Sequence, residues 1–235
     1  MKHVKKYSSF VSESKIFESN MSLEMIQQSQ DAATVNDNIK ALASTIKSTG
    51  LTDTNAIIGL LCTMGKESGF TLVRETTKYL PDNASYLKTT FPILKKYTDA
   101  QVLELKKSEK SFYDIVYGPD TKAGKDFMHG AADGYRYRGG GYTQLTGKKY
   151  YDYYGLSDPK QIETPAGAAK VLKNSILNYV GKTPGKIKFN TPQEAITFFV
   201  NKVRGGSSDL TTQYNKAVKI LNAYFLKNGK YVIPS

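Results

Sequence analysis

Residues 56–64 read Ala-Ile-Ile-Gly-Leu-Leu-Cys-Thr-Met, and the polar run Gly-Lys-Glu-Ser-Gly follows at residues 65–69. The apolar run predicts a buried helix that begins near residues 52–55 and ends in the polar run. It is shorter than the roughly 18 apolar residues that would span a membrane, and no other segment of the chain reaches that length. The stretch therefore predicts a helix of a protein core.

Further helices are predicted on both sides of this run. Before it, apolar residues recur at spacings of four, three and four, at Val35, Ile39, Leu42 and Ile46, and Gly50 provides a stop. After it, two helix starts are predicted where a threonine N-cap precedes a proline, at Thr164 and Thr191. Glu194 would complete a capping box with Thr191. A last helix is predicted from about residues 207–209 to Asn228 and Gly229. The chain is expected to be mainly α.

Strand signals are few and cluster around residues 135–145. Within residues 133–147, Tyr135 and Tyr137 alternate with Arg136 and Arg138, and three glycines follow. As a strand, this pattern places the tyrosines on one face and the arginines on the other. Flat aromatic rings beside bare glycine backbone suit the binding of a sugar chain. We expect one small β element here.

Residues 1–30 differ from the rest of the chain, being rich in Ser, Glu, Lys and Gln. We interpret them as an N-terminal appendage with one or two short helices, either a docking or packaging leader or a loose tail. Residues 31–235 are expected to form the main domain. The basic first residues are not followed by an apolar segment, so no secretory signal is predicted.

The formal net charge of +12 favours an anionic partner, or serves only solubility. The basic residues are spread along the chain without a dense run, so recognition of nucleic acid is not predicted. The single cysteine, Cys62, lies in the apolar run and is expected to be a buried small side chain. With only His3 and His129 available as well, no metal site is predicted. Nucleotide-binding fingerprints are absent, and we predict no cofactor.

Two carboxylates are candidates for chemistry. Glu67 ends the apolar helix, where partial desolvation would suit a general acid. Glu75 lies eight residues on, and a turn between them could place both carboxylates across a cleft. Glycosidases need such a pair, one acid and one base or nucleophile.

Several segments in order resemble glycoside hydrolase family 19, the chitinase-like group that includes many phage endolysins. They are Glu-Ser-Gly-Phe at 67–70, Glu-Thr-Thr-Lys-Tyr at 75–79, the run 133–147 with its Gln-Leu-Thr-Gly, residues 150–159, and Val-Arg-Gly-Gly at 203–206. The resemblance covers residues 35–227. It implies a lysozyme-like helical fold with a small β element and an inverting mechanism.

In that mechanism Glu67 would be the acid and Glu75 the base that activates water, with the two carboxyl groups roughly 6.5–9.5 Å apart. Gln144 and Tyr142 would line the sugar groove. Tyr137 is either a groove wall or a core residue. Arg138 and Arg204 are further candidates for substrate binding.

The chain departs from the family's pattern at three positions. Lys66 replaces the usual His before the acid, Gly140 replaces an Arg, and Arg204 replaces an Asn. A nearby ammonium lowers the pKa of a carboxylic acid, so Lys66 opposes a general acid unless its side chain points away. At the other two positions, family members hold the second carboxylate and the substrate.

We predict a peptidoglycan-cleaving muramidase, of the endolysin type and of phage origin. It would wait in the host cytoplasm for release to the cell wall, or be carried in the virion, bound to other virion proteins through residues 1–30. Two alternatives remain open. One is a chitinase with the same residues and a neutral polymer. The other, supported by the three departures, is a virion protein that binds glycans without cutting them.

Overall fold

The structure, a computed structural model, describes residues 31–204 and 210–234. In this part of the chain the α-helices, numbered in order, are α1 Ala32–Ser48, α2 Thr54–Ser68, α3 Ala84–Thr90, α4 Asp99–Lys107, α5 Glu109–Val116, α6 Lys122–Asp126, α7 Asp133–Arg136, α8 Lys148–Tyr153, α9 Pro165–Val180, α10 Pro192–Arg204 and α11 Leu210–Ile220. Short 3₁₀ turns cover Thr77–Tyr79, Pro92–Lys96, Pro159–Glu163 and Pro184–Lys186. The predicted mainly α class is confirmed.

Helix α2 is the buried helix predicted from the apolar run. The Asp53 side chain caps its start by accepting from the Ala56 N–H, and Gly69 ends it in the left-handed conformation. Residues 56–65 are all buried, as expected for a helix that is apolar on every side. Gly59 is needed at the crossing with α10, because a Cβ there would lie 2.4 Å from Ala195 Cβ.

The buried side chains form three clusters. The largest joins α1, α2, α9, α10 and α11, and it includes all four predicted core residues of α1. The second is built from residues 80–127, and the third from residues 137–171. Glu67 lies in the last turn of α2, a helix that contributes to the first cluster. The chain then runs through residues 70–79 toward the second, and this segment carries Glu75.

The predicted helix starts at Thr164 and Thr191 are confirmed. Thr164 accepts a hydrogen bond from the Gly167 N–H, and Thr191 Oγ1 accepts one from the Glu194 N–H. The capping box at Thr191 is not formed as predicted, because Glu194 Oε2 accepts from the Asn190 N–H, one residue earlier. The predicted start of the last helix at residues 207–209 and the appendage 1–30 lie outside the described residues.

The predicted strand around residues 135–145 is wrong. Residues 133–136 form the helical turn α7, in which the Tyr137 N–H donates to the Asp133 carbonyl oxygen at 2.8 Å. Packing explains the outcome: the Gly134 backbone lies against α5, where an added Cβ would be 2.2 Å from the Tyr113 carbonyl oxygen. Only an isolated bridge between Arg74 and Gly140 has β character here.

The small sheet of the described residues lies near the C-terminal end instead. After α11 the chain makes a π-helical turn, Leu221–Phe225, and then pairs β1 Leu226–Lys227 with β2 Lys230–Tyr231. Asn228 and Gly229 both have positive φ, 50° and 73°. They form a hairpin turn rather than the predicted end of a helix, since Asn-Gly suits a turn with two left-handed residues.

None of the helices in residues 31–204 and 210–234 combines the length and the apolar character that crossing a membrane requires.

Candidate active site

Glu67 occupies the last turn of α2. The two residues after the end of this helix, Gly69 and Phe70, both have positive φ, 59° and 64°, and a positive φ is uncommon for a bulky residue such as Phe70. Gly65 permits this reversal, because a Cβ there would lie 2.4 Å from the Phe70 ring. The Phe70 side chain thereby folds back onto α2, and the Glu67 residue is only 8% exposed.

The Glu67 carboxylate forms an ion pair with the neighbouring Lys66. The Lys66 ammonium contacts Glu67 Oε1, and the two side chains are 2% and 5% exposed. Lys66 therefore points toward Glu67. A general-acid role for Glu67 would have required the Lys66 side chain to point away. Tyr179 from α9 lies near this pair: burial, Tyr154 and Glu67 together raise the pKa of its hydroxyl.

The Glu75 carboxyl group is surrounded by uncharged donors. The Tyr117 hydroxyl donates to Oε1 at 2.8 Å, and the Gly139 N–H donates to Oε2 at 3.1 Å. The Glu75 residue is 1% exposed. Burial raises the pKa of Glu75 to about 7, despite these two hydrogen bonds and the attraction of Arg138 and Arg74. At neutral pH a substantial fraction of Glu75 holds its proton.

Two arginines position the backbone around Glu75. Arg138 Nε donates to the Glu75 carbonyl oxygen at 2.8 Å, and its guanidinium lies over the Tyr135 ring at 3.9 Å. Arg74 donates to the carbonyl oxygens of Arg136 and Arg138, at 2.5 and 3.2 Å. Both guanidinium groups hydrogen-bond backbone oxygens near Glu75. They tie the segment 74–75 to residues 136–138.

Gly139 lies where several side-chain oxygens meet. A Cβ on Gly139 would lie 3.0 Å from Gln144 Oε1, 3.2 Å from Glu75 Oε2 and 3.3 Å from Thr146 Oγ1. Gln144 Oε1 is buried without a hydrogen-bond donor among the described residues. Gln144 also has a left-handed backbone, with φ 48°. Backbone strain and an unpaired polar atom at one residue are features of functional sites.

The other predicted sugar-binding residues are placed differently. Tyr142 and Tyr137 are each 6% exposed. Tyr142 packs in the first core cluster, and Tyr137 packs between the rings of His129 and Tyr151. Of the two expectations for Tyr137, a groove wall or a core residue, the structure places it in the core. Both rings have little surface left for a sugar. The side chain of Arg204 lies outside the described residues.

The departure at position 140 has a steric explanation. A Cβ on Gly140 would lie 2.8 Å from Ile162 Cγ2 and 3.6 Å from Arg74 Cγ. A side chain at this position would therefore require Ile162 to move. The cation next to this backbone is Arg74, which also pairs with Glu163 at 3.3 Å.

The sequence prediction missed Tyr117 and the mode of action of Arg74. Tyr117 caps the end of α5 and is 42 residues from Glu75, so no local pattern indicates its role. His129 holds the Tyr117 backbone, with Nδ1 2.8 Å from its carbonyl oxygen, while Nε2 accepts from the Lys148 N–H. Burial lowers the pKa of His129, in keeping with a neutral ring that has one donor and one acceptor nitrogen.

No cluster of three or more His, Cys, Asp or Glu side chains suited to a metal ion occurs in the described part of the chain. Cys62 is buried as predicted, and burial raises the pKa of its thiol. Comparisons of the chain with known protein families, with curated proteins and with solved structures found no match.

Proposed function

We propose that this protein is a glycoside hydrolase that cleaves the β-1,4 bonds of peptidoglycan, with Glu67 and Glu75 as its two catalytic carboxyl groups. The observation that carries the proposal is the contrast between the two groups. Glu67 is paired with an ammonium, whereas Glu75 is buried among uncharged donors with a pKa near 7. One carboxyl group thus has a counterion, while the other can hold a proton at neutral pH, and glycoside hydrolysis requires two carboxyl groups in different roles.

The reaction would be inverting. One carboxyl group protonates the leaving oxygen, and the other accepts a proton from the water that attacks the opposite face of the sugar. The Tyr117 hydroxyl and the Gly139 N–H would stabilise Glu75 whenever it becomes charged. Gln144 would contribute to the sugar groove.

The net charge of +12 supports peptidoglycan over neutral chitin as the polymer, since cell walls are anionic. In keeping with the resemblance, we propose a lysozyme-like fold and an endolysin or virion-borne role in a phage. The chitinase alternative uses the same residues, and substrate comparison separates the two.

The test measures reducing ends released from purified peptidoglycan and from chitin oligomers. Glu67→Gln and Glu75→Gln should each lower the rate on peptidoglycan by about 10²–10⁴-fold, the usual contribution of an acid or base. Glu104→Gln is the matched control, because the Glu104 side chain is 71% exposed. Variants of Glu67 and Glu75 that release reducing ends at the wild-type rate would exclude the proposed mechanism.

A second candidate is a protein that binds glycans without cutting them. The Lys66–Glu67 ion pair supports it, because an occupied carboxylate is less free to act on a substrate. This alternative predicts that the wild-type protein sediments with purified walls and releases no reducing ends.

A further inference from the structure

The amide of Gln144 has a defined orientation. Its Nε2 donates to the carbonyl oxygens of Val73 and Gly141, at 3.2 and 3.1 Å. The flipped amide would place an oxygen against these two carbonyl oxygens, which is unfavourable. Gln144 Oε1 is therefore an acceptor that faces away from them, and it is buried without a donor among the described residues.

The Glu75 carboxyl group reaches the same glycine as this oxygen. Gln144 Oε1 and Glu75 Oε2 both lie about the Cα of Gly139, at 3.0 and 3.2 Å from the position that a Cβ would take there. Two acceptors that face one small space repel each other unless one of them carries a proton. The amide oxygen carries no proton, so of these two groups only the carboxyl group can supply one.

The charged and titratable groups around Glu75 allow this state. Tyr117 donates to Oε1. Burial is the main cause that raises the pKa of the Tyr113 and Tyr151 hydroxyls, and the nearby Glu75 adds to the rise. The Arg74 and Arg138 guanidinium groups hydrogen-bond backbone oxygens. Glu67, in contrast, has the Lys66 ammonium against its own Oε1.

We propose that protonated Glu75 donates a hydrogen bond to Gln144 Oε1, so that Glu75 is the general acid and Glu67 the general base. This assignment is the reverse of the one implied by the family resemblance, and it rests on the proposed function. Gln144 is then a positioning residue for the acid, in addition to lining the groove.

The reaction under this assignment is balanced. The Glu75 proton moves to the glycosidic oxygen as the bond from that oxygen to the anomeric carbon breaks. A water oxygen bonds to the anomeric carbon from the other face, and its proton moves to Glu67. The resulting Glu75 carboxylate accepts hydrogen bonds from Tyr117 and Gly139, and proton exchange with solvent restores both groups.

The first experiment follows the ionisation of Glu75 directly, by NMR titration of protein with ¹³C-labelled glutamate carboxyl groups. Glu75→Gln identifies the signal by its loss. Gln144→Met removes the acceptor and should lower the titration midpoint of Glu75 by about one pH unit, a tenfold change in proton affinity. An unchanged midpoint would overturn the hydrogen bond. Should Gln144→Met fail to fold, Gln144→Asn tests the same point, because Asn tolerates left-handed backbone and its oxygen is withdrawn by one methylene.

Thr146→Val is the matched control for this titration. Thr146 Oγ1 also faces Gly139, at 3.3 Å from the same position, and it donates to the Gln144 carbonyl oxygen at 3.1 Å. The Glu75 midpoint should stay unchanged in this variant. A shift with Thr146→Val and none with Gln144→Met would assign the Glu75 proton to the threonine and overturn the proposal.

The second experiment separates acid from base. An aryl glycoside with a good leaving group needs little protonation, so it should restore turnover to Glu75→Gln and not to Glu67→Gln. Azide can replace activated water and should restore turnover to Glu67→Ala alone. The opposite pattern would restore the family's assignment. A wild-type protein that cleaves no glycan would refute the proposed function, and the titration would still test the Gln144–Glu75 contact.

Discussion

Glu67 and Glu75 are separated by only eight residues, and their surroundings are of opposite kinds. Glu67 belongs to a regular helix, and its partner Lys66 is the residue before it. Glu75 belongs to an irregular segment, and its side-chain partners come from Tyr117 and Gly139, far along the chain. One carboxyl group has a cationic partner, and the other is buried with uncharged donors and has a pKa of about 7.

The difference shows how a protein can set the ionisation of two identical groups apart. A buried cation stabilises a carboxylate. Desolvation among uncharged donors instead raises the pKa of a carboxyl group, so that its neutral form is populated near neutral pH. The contrast depends on Lys66 and Tyr117, so changes at these residues and at Glu75 test it.

The largest effect on stability is expected for Lys66→Met. It leaves the Glu67 carboxylate buried without a counterion, which costs about 3–5 kcal/mol of the free energy of unfolding. Urea denaturation at pH 7 measures this loss. The double variant Lys66→Met, Glu67→Met replaces the pair by apolar side chains and should recover most of it. A single-variant loss below about 1 kcal/mol would show that the pair is solvated.

The next effect is the pH dependence that Glu75 contributes. Its folded pKa of about 7 lies above the ordinary 4.5, so the folded state binds a proton more tightly than the unfolded state between these values. Stability is therefore lost as the pH rises from about 4.5 to 7, by about 3 kcal/mol for this group. Glu75→Gln removes the titration and keeps the shape of the protonated group.

The measurement is the free energy of unfolding of wild type and Glu75→Gln from pH 4 to pH 8. Relative to wild type, the variant should gain stability across this range, with the gain complete above pH 7. The titration of His129 occurs in both proteins and cancels in the difference. A difference that is constant with pH would mean that Glu75 titrates normally.

A smaller effect is expected for Tyr117→Phe, which removes the donor to Glu75 Oε1. The loss should be about 2 kcal/mol at pH 8, where Glu75 is charged, and about 1 kcal/mol or less at pH 5. Tyr113→Phe is the matched control: this ring stacks on Tyr117 at 5.8 Å, and its hydroxyl has no hydrogen-bond partner within the described residues. Equal losses at both pH values would contradict the proposed ionisation of Glu75.

The sequence predicted well those features that depend on neighbouring residues. Helical spacing and local caps were sufficient to predict α1, α2 and the start of α9, because these signals depend on residues within one or two helical turns. The prediction failed for residues 133–136, where the alternation of Tyr and Arg is typical of a strand. Packing of Gly134 against α5 selected a helical turn instead, and no local pattern reports that contact.

The prediction for the C-terminal hairpin was wrong for a different reason. Asn228 and Gly229 are left-handed in the structure, and either a helix end or a hairpin turn uses that conformation. The pairing of Leu226 with Tyr231 decides between them. The Asn-Gly pair is itself a hairpin signal, so a hairpin turn could have been predicted from the sequence.

The sequence by itself determined that a buried apolar helix ends close to Glu67 and that Glu75 follows after a short segment, because helix formation depends on nearby residues. Only the tertiary structure decided that Glu67 is paired with Lys66, that Glu75 contacts Tyr117 and Gly139, and that the Gln144 side chain lies beside Gly139. The physical reason is that ionisation depends on desolvation and on the atoms within a few ångströms. For Glu75 those atoms come from segments that are distant in the chain.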